Sequence, residues 1–417
     1  MAFVFDPAVY PRLEDVDVRG KAVVVRVDYN VAMDQGRIVD DHRLRASLPT
    51  LRWLLERGAR VVLLTHLGRP QGMVVPELST APLARALEGL LGQPVGHVPD
   101  CVGRGAEQAV AELEPGQVLM LENVRFHLGE QLNQQPFVAK LARLGEVFVN
   151  EAFPALHRAH ASLSGLAAAL PVSVLGMQVQ TELAWLNRLT QAPPAPRVML
   201  LGGTRIGPKL DLLYRLIGKV EQLLVGGVVG HTLMAARDMN MGLSVYEPAY
   251  VEAARDILAE AGVRGCRILL PGDVQVARRD RPDVVARVRT AGKLGSDEVA
   301  VDIGPQTLEM WKTAIARAGT LCWLGSMGQM EYPAFTEGSV GLAEAVAASP
   351  AFSVVGGDTL VSVLQKHPVA RELRLTTGNG VMMAALAGTP LPALQVLAAR
   401  KTGGWNSERR GGSVTAA

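Results

Sequence analysis

The chain is 417 residues long and 48% hydrophobic, which is enough for two domains that each bury an apolar core and too much for one. Its 42 basic and 40 acidic residues leave a net charge of +2, and the single dense basic run, "ARRDRP", is broken by an acid, so the charge pattern offers no footprint for nucleic acid. Cys101, Cys266 and Cys322 are too scattered for a disulfide framework or a thiolate metal cage. The segment "MAFVFDPAVYPR" lacks the basic and apolar regions of a secretion signal, and no uninterrupted apolar run reaches the span of a bilayer, so the expectation is a soluble cytoplasmic protein with no membrane partner.

From the N-terminus onward, short Val, Ile and Leu runs alternate with segments of helical period. "AVVVRV" (22–27) predicts a strand and "RLRASLPTLRWLLERG" (43–58) the helix after it; "RVVLLTH" (60–66) and "TAPLARALEGLLG" (80–92) repeat the pair; "VLMLENVRF" (118–126) and "EVFVNEAF" (146–153) add strands. "QTELAWLNRLTQAPPAPR" (180–197) predicts a helix carrying Leu183, Leu186 and Leu189 that runs into three prolines, which end it and stiffen the connection. Strands resume in "RVMLLGG" (197–203), "EQLLVGG" (221–227), "CRILLPGDV" (266–274), "TLCWLGS" (320–326), "FSVVGGD" (352–358) and "LRLTTGNG" (373–380).

These runs are continuously apolar rather than alternating, as parallel strands covered on both faces require. The expected fold class is α/β: two Rossmann-like lobes, each a parallel sheet with helices on both faces, joined by a helical hinge. The expected boundaries are 1–175 for the first lobe, 176–196 for the linker helix and hinge, 197–392 for the second lobe, and 393–417 for a C-terminal segment. Its end, "KTGGWNSERRGGSVTAA", has little to bury apart from Trp405 and is expected to be a mobile tail.

In open parallel sheets, ligands bind beyond the carboxyl ends of the strands, so the polar residues there carry the functional information. Asp28 and Asn30 close the first strand and share a face by alternation. Arg43 in "DDHRLRA", His66 and Arg69 in "THLGRP", Arg125 in "ENVRF", and His157, Arg158 and His160 in "HRAHAS" follow. One such arginine alone would read as a solvated or ion-paired residue. Four arginines and a histidine able to converge on one cleft predict a small ligand with more than one negative charge, because guanidinium forks match carboxylate and phosphate oxygens.

The chain resembles the phosphoglycerate kinase family in "VRVDYNVAMDQGRIVDDHRLRASLPT", "THLGRP", "DCVG", "LENVRF", "VFVNEAF", "HRAHAS", "DIGP", "GSMG" and "GGDT", in the family's order, over roughly residues 20 to 395. The resemblance implies 3-phosphoglycerate bound by the first lobe, through Asp28, Asn30, Arg43, His66, Arg69, Arg125 and Arg158. It implies Mg-ATP or Mg-ADP bound by the second. There Gly203, Lys209, Gly227, Gly304, Glu331, Gly356, Gly357, Asp358 and Thr359 would form the nucleotide site, with Asp358 on Mg2+. In "LGGTRIGPKL" (201–210), Gly203 would allow close backbone approach and Lys209 would meet the transferred phosphoryl group, aided by amides at a helix start.

Several positions depart from the family pattern. Arg205 stands where the family usually has lysine, which exchanges a compact ammonium for a planar fork. "WLGSMG" puts Leu324 and Ser326 where an amide and a proline are usual. Val228 replaces a glycine, Asp358 follows two glycines instead of three, Asn379 interrupts a glycine run, and Gln306 replaces a frequent lysine.

By this resemblance the chemistry is in-line phosphoryl transfer from ATP to the carboxylate of the acid. Such a carboxylate, with an ordinary pKa of about 4, is ionised at neutral pH and needs no general base. That agrees with the absence of a Ser/His/Asp set or an HExxH motif. Arg43, Lys209, Arg205 and the amides of Gly356 and Gly357 would surround the transferring group, so the lobes would have to close. The resemblance also favours a monomer. Two alternatives stay open: a phosphoglycerate-binding sensor or scaffold with an impaired nucleotide half, and a kinase with another phosphoryl donor or a related acid. A nicotinamide dehydrogenase is disfavoured by the lack of GxGxxG after any strand, and the Walker spacing is broken at Pro208.

Overall fold

The computed structural model describes residues 5–278, 281, 284 and 287–402. By contact the chain divides into two units, Met1–Ala184 with Pro390–Ala417, and Trp185–Thr389.

The sheet of the first unit has six parallel strands in the spatial order Val95–Val98, Val118–Leu121, Arg60–Leu64, Ala22–Arg26, Val147–Asn150 and Val172–Leu175. The central strand pairs on both sides, Ala22 with Arg60 and Val23 with Val147, and Val23, Val24 and Val25 are wholly buried. A strand covered on both faces has no solvent side to mark, so its sequence is continuously apolar. Helix His42–Glu56 begins where Asp40 Oδ1 accepts the His42 amide at 2.9 Å. It lays Leu44, Leu51 and Leu54 into the core, each fully buried. Burial at this level contributes about 1.5–3 kcal/mol per leucine, so the face of the helix, and with it the direction of Arg43, is set by packing.

The second unit carries five parallel strands in the order Arg267–Leu269, Gln222–Val225, Arg197–Leu201, Thr320–Leu324 and Phe352–Gly356. Its core includes the fully buried Trp311 and Trp323. The two parallel sheets with flanking helices are the expected fold class. The second unit adds an antiparallel sheet that the strand reading did not anticipate, ordered Arg287–Thr290, Asp273–Arg278, Glu298–Ile303. "CRILLPGDV" is two strands, not one: Pro271 and Gly272 break it, so Arg267–Leu269 joins the parallel sheet and Asp273–Arg278 the antiparallel one. "LRLTTGNG" is not a strand either. It makes a single bridge, Leu375 with Val355, before helix Asn379–Leu386 begins.

Helix Met177–Thr190 buries Leu183, Leu186 and Leu189 and contains the division between the units. Helix Pro392–Thr402 belongs by contact to the first unit, where it meets residues 161–169 and the Ala393 amide donates to Leu156 O at 3.3 Å. Trp405 and the tail from residue 403 lie outside the described residues. Among the described residues, no helix is long and apolar enough to cross a membrane.

Candidate active site

Each predicted acid-site residue lies just past the carboxyl end of a strand of the first sheet or on the helix beside it. Asp28, two residues beyond Ala22–Arg26, is 7% exposed and accepts from Arg43 Nη1 at 2.9 Å. Arg43 Nη1 also donates to Asn30 O at 3.3 Å, and Asn30 Oδ1 accepts the Gly68 amide at 2.8 Å. Arg125 Nη1 donates to Gly68 O at 2.6 Å, so the turns after three strands are bonded to one another. His66 is buried; Arg158 is half-buried; Arg69 is exposed.

Two contributors were not singled out from the sequence. Arg26, 1% exposed, reaches His66 Nδ1 at 3.1 Å through Nη2 and donates to Ser162 Oγ at 2.8 Å through Nε. Glu130 is wholly buried and accepts from both the amide and the hydroxyl of Ser162. The signal for Arg26 was available: it is the one charge inside the run "AVVVRV". Glu130 carried no comparable signal.

The electrostatics of this basin are dominated by cations. Burial lowers the basicity of Arg125, and repulsion from Arg158 and Arg26 adds to it, bringing its pKa down to about 10. Burial and the same guanidiniums bring His160 down to about 4. His66 is held neutral by burial together with Arg26, Arg125 and Arg158. Burial alone would push Asp28 up; with His66 neutral, the attraction of Arg43 and Arg26 keeps it ionised and below its ordinary value. Arg125 is 3% exposed, yet its Nε and Nη2 have no hydrogen-bond partner among the described residues. A buried guanidinium with two idle donors costs free energy unless an anion completes it.

In the second unit, the turns after four parallel strands pack backbone against backbone. The Gly203 amide donates to Ser326 O at 2.7 Å, the Val228 amide to Gly203 O at 3.0 Å, and the Gly325 amide to Gly356 O at 2.8 Å. Gly227 has φ +59°, and a Cβ there would lie 2.9 Å from Gly203 N and O. Gly357 has φ +129°, and its Cβ would sit 3.0 Å from Gly325. No side chain fits between these turns, so backbone packs directly on backbone at the strand ends.

Lys209 ends the short turn Gly207–Lys209, is 7% exposed, and donates through Nζ to Arg205 O at 2.9 Å. Burial lowers its pKa and Glu247 opposes that shift. Glu247 also accepts the amides of Ile206 and Gly207. The Arg205 side chain is exposed, as are Asp358 and Thr359 at the start of helix Asp358–Leu364, and Glu331. Gly304 precedes helix Pro305–Ala316, and its amide donates to Asp273 O at 2.9 Å. A cavity of about 250 Å³ opens beside it, lined by Gln275, Ile303, Leu308, Glu337 and Gly338. That volume suits one ring system rather than a whole nucleotide.

The departures from the family pattern leave this framework in place. Leu324 is buried at the end of its strand, and Ser326 contributes only its carbonyl to the Gly203 bond. Asn379 opens helix Asn379–Leu386 without a positive φ, so its tolerance of left-handed backbone is not used. Gln306 is exposed, with its amide donating to Asp273 Oδ2 at 3.1 Å.

A cation-rich strand-end basin in one parallel α/β unit, and glycine turns packed backbone to backbone at the strand ends of another, define a two-unit α/β protein with a candidate anion site in its first unit. The profile of the phosphoglycerate kinase family matches residues 13–389. The phosphoglycerate kinase of Thermomicrobium roseum is 43% identical over 92% of this chain and 98% of its own length, and that of Moorella thermoacetica is 40% identical with the same coverage. Among solved structures, the Pyrococcus horikoshii phosphoglycerate kinase matches with a TM-score of 0.84 at 31% identity, over 94% of this chain and 99% of that one. The Coxiella burnetii enzyme matches at 0.78 and 34%, over 94% and 100%. The chain belongs to the phosphoglycerate kinase family.

Proposed function

We propose that this chain reversibly transfers the γ-phosphoryl group of ATP to the carboxylate of 3-phosphoglycerate, giving 1,3-bisphosphoglycerate and ADP, as a cytoplasmic monomer that needs Mg2+. The observation that carries the acid half is Arg125: a buried guanidinium with two unused donors, in a basin where Arg26 and Arg158 already depress its basicity. A small polyanion supplies what this basin lacks.

A carboxylate oxygen of the acid attacks the γ-phosphorus, and the bond from that phosphorus to the bridging oxygen of ADP breaks. The nucleophile is already ionised, so the protein's work is positioning and charge neutralisation. His66, Arg69, Arg125 and Arg158, with Asn30, hold the acid. Asp28 aims Arg43 at the end where the transfer occurs. Lys209, Arg205 and the amides of Gly356 and Gly357 receive the charge on the transferring group, and Gly203, Gly227, Gly304, Glu331 and Thr359 hold the nucleotide.

Asp358 is a carboxylate in the first turn of a helix directly after Gly357, which suits a metal that takes one or two carboxylates and completes its shell with phosphate and water. Mg2+ held there would supply charge neutralisation of the nucleotide phosphates.

A coupled assay with 3-phosphoglycerate and Mg-ATP tests the activity, and calorimetry with each ligand separately tests the two sites. Turnover supports the kinase; binding of the acid with no binding of Mg-ATP would replace it with the sensor or scaffold reading. A donor and acceptor panel would expose a different phosphoryl donor or a related acid.

A further inference from the structure

Asp100, Cys101 and His127, the last of them two residues beyond Arg125, bring a carboxylate oxygen, a thiol sulfur and a ring nitrogen within 4.8 Å of one another. Asp100 and Cys101 follow the strand Val95–Val98, while His127 follows the turn Val124–Phe126, so two separate loops contribute. The exposure is graded. Cys101 is wholly buried and forms the floor, whereas the His127 and Asp100 side chains are 33% and 52% exposed and form the rim.

The three groups are held in place. Asp100 Oδ1 accepts the amides of Cys101 at 2.7 Å and Val102 at 3.3 Å, and meets His127 Nε2 at 2.8 Å. All these bonds use Oδ1, which leaves Oδ2 for a ligand. The His127 ring is stacked on Phe137 with centroids 5.1 Å apart.

We propose that Asp100, Cys101 and His127 form a binding site for a thiophilic divalent transition metal such as Zn2+, with water as fourth ligand. Sulfur and imidazole select such an ion over Mg2+ or Ca2+. Tetrahedral bonds of about 2.0–2.3 Å need ligand atoms roughly 3.3–3.8 Å apart. To reach that spacing the two partly exposed rim side chains must turn, and the metal must replace the Asp100–His127 hydrogen bond. The charge balance also suits a cation, since Asp100, Glu130 and Glu122 all act on the thiol. Burial first, and those carboxylates after it, hold the thiol pKa well above the ordinary value, so the sulfur keeps its proton until a metal displaces it. Metal binding replaces that proton: the S–H bond breaks, a sulfur–metal bond forms, and the proton leaves to solvent.

Cobalt titration of the chelator-treated full-length protein tests the site. The expected result is a thiolate-to-cobalt charge-transfer band that saturates at one equivalent, bleaches when Zn2+ is added, and strengthens as pH rises because a proton is released. Cys101→Ser should abolish the band. His127→Gln and the more conservative Asp100→Asn should each weaken cobalt binding by more than the roughly 10- to 100-fold that loss of a second-sphere partner costs. Unfolding midpoints measured without metal, set beside the parent's, separate lost ligands from lost fold. Absence of the band at stoichiometric cobalt, or its survival in Cys101→Ser through Cys266 or Cys322, would overturn the assignment.

Discussion

Arg43 Nη1 donates to Asp28 Oδ1 at 2.9 Å, joining the first turn of a helix to the end of the central strand. Together with the bond to Asn30 O, it fixes a long guanidinium at the edge of the cation basin. Removing the side chain should therefore affect the step in which charge is redistributed more than the capture of substrate. Arg43→Ala should lower turnover roughly 10²–10³-fold with a much smaller change in KM for 3-phosphoglycerate. Steady-state kinetics decide it, and equal losses in both parameters would remove Arg43 from the transition-state role.

Arg125 offers a different test, because its contribution is a fork and not merely a charge. Arg125→Lys keeps the cation but loses the two idle donors Nε and Nη2. A charge-assisted hydrogen bond is worth about 1.5–3 kcal/mol, so affinity for 3-phosphoglycerate should fall roughly 10- to 150-fold. Calorimetry with the acid alone reads this directly, and Mg-ATP binding should be unaffected.

Gly227 tests the second unit. Alanine there must adopt φ +59° and place its Cβ 2.9 Å from Gly203 N and O and 3.1 Å from Ser326 O. Left-handed backbone alone costs about 1–2 kcal/mol for a residue with a Cβ, and displacement of the Gly203 turn adds to it. Gly227→Ala should lower the unfolding midpoint and weaken Mg-ATP binding, while 3-phosphoglycerate binding is retained.

Glu151 makes stability depend on pH. It is 4% exposed where helix Met177–Thr190 begins and accepts the Gln178 amide at 3.2 Å. Burial raises its pKa to about 8, outweighing the lowering bonds from Thr50 and the Gln178 and Val179 amides. The folded protein therefore binds a proton that the unfolded chain gives up near its ordinary carboxyl value. This contribution is full at low pH, declines as pH rises, and is gone once pH passes about 8. Between pH 6 and 9 the unfolding midpoint of the parent should fall by a few °C more than that of Glu151→Gln, on a scale of roughly 2–4 °C per kcal/mol. Parallel curves for the two proteins would exclude Glu151 as the titrating group.

What could be read in the sequence followed a physical rule. The parallel strands declared themselves by uninterrupted apolar runs, and the rule that ligands bind past their carboxyl ends pointed to Asp28, His66 and Arg125, which the structure places beyond three strands of one sheet. Arg26 was overlooked because its neighbours marked it as core; only its contacts with His66 and Ser162 show what a buried charge does there. Glu247 could not have been linked to the Ile206 and Gly207 amides, since that contact spans about 40 residues and no local pattern encodes it. The antiparallel sheet was missed for a related reason. Arg287–Thr290 is polar and mostly exposed, so it carries no hydrophobic periodicity.

The return of helix Pro392–Thr402 to the first unit makes that unit discontinuous in the chain. During synthesis, at about 5–20 residues per second, residues 1–184 emerge long before the helix, with its buried Leu394 and Leu397, that meets residues 161–169. The stretch begun second is thus the first to have all its parts. The earlier one waits, with the surface around Leu156 bare, until that helix has been made.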